Sequence, residues 1–486
     1  MDSPKTTVKT TGGEVRGRIE GGVARYLGVP YAAAPFGEHR FRPPAPASWD
    51  GVRDAFEHGP TPPKLPYPDV LAGLLPEPFV AGDEILNVAV WAPQGASGAP
   101  VMVFFHGGAF TNGSNAVPVY DGTAYARAGV VLVGVNYRLG VEGFLHLPGV
   151  PANRGMLDQI AALRWVRENI EAFGGDPGAV TVFGESAGAM SIATLMAMPA
   201  AEGLFHRAIL QSGAGHHTHQ PATAALVANE LADAVGVPVD ELVDIAPERL
   251  LAGHAIMLDR FQSDPRPERW GESARTSLLF APIVDGETLP ATAIERIAAG
   301  AGGDVEVLVG ANREELLLFL VPTGIVDHIG EDAVAAIVAG FGLPDGAVDR
   351  YRANRPEGSA GQLYSDIVTD SAYRIPAVRL AEAHGRAYVY EFAWSSTAYE
   401  GRLGACHALE LPFVFDTFAS SAELTGPNPP RALADAMRSA WVAFATTGDP
   451  GWPRYGSERA VRTFGKTVET VLDPCSDLRE LWDGIR

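Results

Sequence analysis

Cysteine is almost absent: the 486 residues include two, Cys406 and Cys475. Two thiols in so long a chain build no disulfide framework. Their scarcity points to a reduced, cytoplasmic protein, with a single Cys406–Cys475 bridge as the alternative. Long apolar runs are missing too. No stretch reaches the roughly 18 apolar residues that a membrane-spanning helix needs, and the opening MDSPKTTVKTTGGEVRG lacks the apolar centre of a secretory leader. Basic residues are the minority, 37 against 58 acidic, and the formal charge of −21 repels nucleic acid and anionic membrane while favouring a soluble monomer. Internal repeats, low-complexity tracts and an evident interdomain linker are also lacking. The proline-rich EHGPTPPKLPYPDV (57–70) comes too early to separate one domain from another and reads as an ordered surface loop, as does SDPRPERWGESART (263–276).

What remains is ample core material, 47% hydrophobic against 20% charged, arranged in a telling order. VKTTGGEVRGRIEGGVARYLGVPY alternates short β-type runs with Gly-Gly turns, which predicts antiparallel hairpins. PVMVFFHGG and GVVLVGVNY are continuous apolar runs, the mark of strands buried on both faces. LDQIAALRWVRENIEAF (157–173) has helical periodicity and stops at GGDP. A strand AVTVFG, a helix from Ala187 to about Met198, and the strands RAILQS, VEVLVGAN and AYVYEFAW follow. Strand and helix in alternation predict an α/β fold: a mostly parallel central sheet with an N-terminal antiparallel portion and helices on both faces. The expectation is a single domain over 1–486, with a helical, loop-rich and cap-like insertion around 220–300.

VTVFGESAGAMS (180–191) raises the question of chemistry. With 55 glycines and serine at about one residue in twenty, chance alone supplies roughly 0.3 G-x-S-x-G matches in this chain, so the surroundings must decide. A buried strand ends at Phe183 and a helix begins just after Ser186. That is the setting of a nucleophile elbow, where small neighbours such as Gly184 and Gly188 permit a strained turn and the helix N-terminus faces a developing oxyanion. A serine needs a base and an orienting acid, in the chain order Ser, Asp or Glu, His. GACHALELPFVF puts His407 after one strand, and LVGANREELLLFL puts Glu314 and Glu315 after another; spacing does not choose between the two glutamates. FFHGGAF follows a buried strand, so the N–H groups of Gly108 and Ala109, with that of Ala187, can converge on one oxygen.

These segments resemble the type-B carboxylesterases of the α/β-hydrolase fold, the group that includes bacterial p-nitrobenzyl esterases and cholinesterases. The resemblance rests on YLGVPYAAAPFGEHRFRPP, FFHGGAF, NYRLGVEGFL, NRGMLDQIAALRWVRENIEAFGGDPGAVTVFGESAGAMS, GLFHRAILQSG, GANREE and GACHALELPFVF, and extends to AWVAFATTGDPGWP. It implies Ser186 as nucleophile, Glu315 rather than Glu314 as acid, His407 as base, and Gly108, Ala109 and Ala187 as oxyanion donors. It also implies hydrolysis of small carboxylic esters to acid and alcohol through an acyl-enzyme, with no cofactor and no metal. Two departures stand out: GDEILNV lacks the cysteine of the secreted members, and HGGA replaces the GGG of many, so that the Ala109 methyl narrows the space for bulky alcohol groups. A carbamate or amide hydrolase with the same triad is the alternative. A non-catalytic binding or adhesion relative is disfavoured by the intact triad.

Four phenylalanines flank the motifs, Phe110, Phe319, Phe413 and Phe415, and are candidates for an apolar substrate pocket. GAGHHTHQ clusters His216, His217 and His219; a metal site needs further ligands, so the expectation is a loop bordering the pocket, with His217 against substrate. Cys406, beside His407, lacks the helix-start setting of a nucleophilic thiol. Glu185 is expected to point away from Ser186 and to serve a structural role.

Overall fold

A computed structural model describes residues 5–485. The chain divides into two compact units, one of residues up to 67 with 77–208 and 215–305, the other of 68–76, 209–214 and 306 onward.

The first unit is built on a mixed sheet. The predicted hairpins are β1 (Lys5–Lys9), β2 (Glu14–Glu20) and β3 (Val23–Pro30), paired antiparallel, with β4 (Val52–Asp54) parallel to β2. Gly21 and Gly22 make the β2–β3 turn with φ of 56° and 82°, angles that favour glycine. Next in the sheet come β5 (Asn87–Pro93) and β7 (Val131–Val135), still antiparallel. Then β6 (Ala99–Phe105) and β8 (Gly175–Glu185) run parallel to β7, in the order β7-β6-β8. Every residue of β7 is buried, as its unbroken apolar run requires.

The helix read from Leu157 starts earlier, at Arg154, and ends at Asn169. A 3₁₀ turn then carries the chain to Gly174, which terminates it at φ 87°. Apolar periodicity missed the first turn because its inward face is polar. Arg154 is fully buried and donates to the carbonyls of Val141, Glu142, Leu145 and Pro151. One turn on, Asp158 accepts Arg138 Nη2 at 2.6 Å, Arg138 Nε at 2.7 Å and the Arg138 backbone N–H at 3.0 Å, with both side chains out of water. Removing one partner of such a pair leaves a buried charge without compensation, which costs about 3–5 kcal/mol. Asp158→Ala is therefore expected to lower unfolding free energy by about that much, read from the urea midpoint at constant m-value; an unchanged midpoint would refute it.

The segment 220–300 is helical, with Pro221–Val235, Pro247–Ser263 and Ala293–Ala298 as its main elements. SDPRPERWGESART is not the plain loop expected. It forms two short helical turns, Pro267–Trp270 and Ser273–Thr276, anchored by the buried Trp270, whose Nε1 donates to the Asp264 carbonyl. Proline at the first helical position pre-sets the backbone of the first turn.

In the second unit, β9 (Arg207–Gln211) contributes its last residues. With them are β10 (Glu306–Asn312), β11 (Tyr388–Phe392), β12 (Ala460–Phe464) and β13 (Val468–Leu472). β10, β11 and β12 are parallel, and β13 closes a hairpin on β12. Both cysteines are free, Cys406 buried and Cys475 exposed, so the alternative bridge does not form. Among the described residues no helix is long and apolar enough to cross a membrane.

Candidate active site

β8 delivers the chain to Ser186, which sits at φ 53°, ψ −123° before the helix Ala187–Ala197. A non-glycine residue in that region is strained by about 1–3 kcal/mol and persists only where its surroundings dictate it. Here they do. A Cβ on Gly184 would lie 2.6 Å from the Phe105 carbonyl oxygen, and one on Gly188 would collide with the same oxygen, so only glycine lets β6 and the elbow meet backbone to backbone. Ala187 opens a helix whose first N–H groups have no intrahelical acceptor.

The loop after β6 lies against this elbow. A Cβ on Gly107 would come 3.1 Å from Ser186 Cβ and 2.9 Å from the Glu185 carbonyl. Gly108, Ala109 and Phe110 follow with φ of 108°, 54° and 61°, a run of unfavourable angles in one short turn. His106 supports it from beneath: its ring stacks on Tyr137 at 4.5 Å and its Nδ1 is 2.8 Å from the Gly107 carbonyl. Burial holds the His106 pKa down to about 3, so the ring is neutral and Nδ1 donates. Phe110 is wholly buried against Phe144, and its carbonyl accepts the Gly140 N–H. Glu185 is buried as well. In the first unit, then, the Ser186–Ala187 elbow and the loop that carries Gly108 and Ala109 meet at Gly107. Of the histidine cluster in the same unit, His217 and His219 are buried. Burial holds the pKa of His219 down to about 4, and its Nε2 lies 3.3 Å from Ser273 Oγ. Among the described residues no three His, Cys, Asp or Glu side chains form a metal-binding group.

The second unit sorts the two glutamates. Glu315 is fully buried; its Oε1 accepts the Asn312 N–H at 2.7 Å and its Oε2 lies 2.6 Å from His407 Nδ1. The His407 N–H donates to the Glu315 carbonyl, and the imidazole is flanked by Phe319 and Tyr373. Glu314 turns elsewhere, accepting Arg355 Nη2 at 2.7 Å and the Ala405 N–H at 2.8 Å. Cys406 is sealed in, and burial pushes its thiol far above the usual range, which keeps it protonated. Phe413 packs among Phe392, Trp394 and Phe418, and Phe415 is buried too.

Four further residues, Asn312, Glu410, Gln211 and Trp441, form a network that motif reading passed over. Asn312 Nδ2 donates to the Cys406 carbonyl at 2.7 Å and to Glu410 Oε2 at 2.6 Å; Gln211 Nε2 donates to Glu410 Oε1, and Trp441 Nε1 to Gln211 Oε1. Asn312 thus ties the end of β10 to the residue before His407. The only signal in the sequence was its place in GANREE.

The sequence signature of the carboxylesterase family matches residues 4–472. This chain belongs to the carboxylesterase family. It is 38% identical to the para-nitrobenzyl esterase of Bacillus subtilis (strain 168), with 97% of each chain covered. Against the fumonisin B1 esterase of Sphingopyxis macrogoltabida the identity is 34%, covering 96% of this chain and 88% of that one. The crystal structure of a Geobacillus stearothermophilus carboxylesterase superposes with a TM-score of 0.85 at 36% identity, over 98% of this chain and all of that one. The fold is therefore that of the α/β-hydrolases, and this carboxylesterase is a carboxylic ester hydrolase.

Proposed function

We propose that this carboxylesterase is a serine esterase in which Ser186 is the nucleophile, His407 the general base and Glu315 the orienting acid. Gly108, Ala109 and Ala187 supply the oxyanion N–H groups. The observation that carries the reading is the strained Ser186, held at a strand-to-helix turn beside the Gly107–Phe110 loop. The Glu315–His407 hydrogen bond supports it independently.

In acylation, Ser186 Oγ forms a bond to the ester carbonyl carbon while its proton passes to His407 Nε2. The carbonyl π electrons move onto oxygen, and the three N–H groups stabilise that oxyanion. As the carbonyl re-forms, the bond to the alcohol oxygen breaks and the imidazolium returns its proton to the departing alcohol. Water, deprotonated by the same imidazole, repeats the sequence on the acyl-enzyme and releases the acid. Glu315 stays ionised throughout, fixing the imidazole tautomer and stabilising its cation.

Phe110, Phe319, Phe413, Phe415 and His217 are the proposed substrate-pocket residues. The position of Phe319 beside the His407 ring favours it most. A small carboxylic ester is the proposed substrate, bound by a monomeric, cytoplasmic protein. The family match over residues 4–472 supports a single catalytic domain, and the helices of 220–300 are its proposed cap-like insertion. Esters are favoured over carbamates or amides because the relatives compared above are named as esterases. The test is kcat/KM on a matched panel of short and medium p-nitrophenyl esters, a bulky aromatic dicarboxylate ester and an aryl carbamate. Esters are expected to lead; a carbamate preferred over every ester would replace the proposed bond, and no turnover from folded protein would favour a binding role.

A further inference from the structure

Lys64 and Glu77 stand apart from the groups used above. They lie in an irregular, proline-rich stretch, yet their side chains are only 3% and 11% exposed, with Lys64 Nζ 2.6 Å from Glu77 Oε1. Burying both charges costs several kcal/mol per ion, and the attraction returns it only if the remaining hydrogen-bonding positions are filled. The groups that fill them belong to one turn. Lys64 Nζ donates to the Gly113 carbonyl at 2.9 Å, and Glu77 Oε2 accepts the Gly113 N–H at 3.0 Å and Asn112 Nδ2 at 3.3 Å. Asn112 Nδ2 also donates to the Leu65 carbonyl at 2.7 Å. The pair therefore grips both backbone polar groups of one glycine and the side chain before it.

That glycine backs directly onto the loop beside Ser186. A Cβ on Gly113, at φ 95°, would strike the His106 ring and the Gly107 carbonyl. Further along the same turn, the Gly108 carbonyl accepts the N–H groups of Thr111 at 2.9 Å and Asn112 at 2.8 Å. In a planar trans peptide the carbonyl and the following N–H point in opposite directions. Anchoring the Gly108 oxygen therefore aims the Ala109 N–H. Burial pulls the Lys64 ammonium's pKa down while Glu77 pushes it back up, in keeping with a cation that persists because its partner is there.

We propose that Lys64 and Glu77 are positioning residues for the oxyanion hole, a buried ionic clamp that fixes the Ala109 N–H through Gly113, Asn112 and the Gly108 carbonyl. This rests on Gly108 and Ala109 being oxyanion donors. The clamp acts on the transition state and not on ground-state binding, because only the tetrahedral oxygen occupies the hole fully.

Losing an oxyanion donor outright costs about 10²–10³ in rate, and a misaimed one costs less. Glu77→Gln is expected to lower kcat about 30-fold per active site counted by organophosphate titration, with KM within about twofold. The inhibition constant of an aryl trifluoromethyl ketone, whose adduct places an oxyanion in the hole, should weaken by the same factor. Lys64→Met/Glu77→Gln removes both charges together and leaves none unpaired, so its thermal stability should recover relative to Glu77→Gln while kcat and ketone affinity stay low. Recovery of kcat along with stability in the double variant would overturn the clamp, as would a rise in KM alone. Ser186→Ala, run alongside, separates the two failures. Turnover surviving there would remove the oxyanion reading itself, whereas Ser186-dependent turnover with unchanged kcat and ketone affinity in both clamp variants would remove the clamp only.

Discussion

Ser186→Ala is expected to reduce ester kcat by about 10⁴–10⁶ while leaving the melting temperature within about 2 °C of the parent. The first half follows from the proposed chemistry: without Oγ there is no acyl-enzyme, and what remains is whatever the oxyanion donors do for direct attack by water. The second half follows from the backbone. Alanine at φ 53° carries the same Cβ and the same strain as serine, and the Gly184 and Gly188 contacts that impose the turn are untouched. Loss of activity without loss of stability therefore separates a chemical role from a structural one. The check is kcat on a p-nitrophenyl ester, scanning calorimetry, and the mass shift on organophosphate treatment, which should be one adduct in the parent and none in the variant. An adduct retained in Ser186→Ala would place the reactive serine elsewhere.

How much of this was visible in the sequence differs from residue to residue. The strained turn at Ser186 was legible because an elbow is a local object: strand, two small residues at fixed offsets, and helix are all contiguous. The pairing of His407 with a glutamate was legible only to the level of two candidates. Glu314 and Glu315 are told apart by Arg355, some forty residues on, and by the Asn312 N–H, neither of which spacing reveals. The first turn of the helix at Arg154 was hidden because a buried arginine occupies a position that periodicity assigns to an apolar residue. Lys64 and Glu77 were invisible for the same reason in stronger form. A proline-rich stretch has no periodicity to read, and the two residues meet only because the chain between them returns.

Glu315→Gln tests the other half of the proposed triad, and kcat is expected to fall about 10⁴-fold with KM little changed. The carboxylate makes two demands that one amide cannot meet together. Oε1 accepts the Asn312 N–H, and Oε2 accepts the proton on His407 Nδ1. A glutamine keeps the first bond by placing its oxygen there, which turns its NH₂ toward His407 and requires Nδ1 to become an acceptor. The imidazole proton then moves to Nε2, the nitrogen that must be vacant to receive the Ser186 proton. Flipping the amide restores an acceptor for Nδ1 but sets an NH₂ donor against the buried Asn312 N–H, an arrangement that costs about 1–3 kcal/mol for each unsatisfied group. The first orientation should therefore prevail, with the histidine held in the wrong tautomer. Glu315→Asp, which keeps the charge on a shorter arm, should retain more activity than Glu315→Gln despite its poorer reach. If Glu315→Gln instead matched the parent while Glu314→Gln was inactive, the acid would have to be reassigned to Glu314 and the 2.6 Å contact with His407 read as structural.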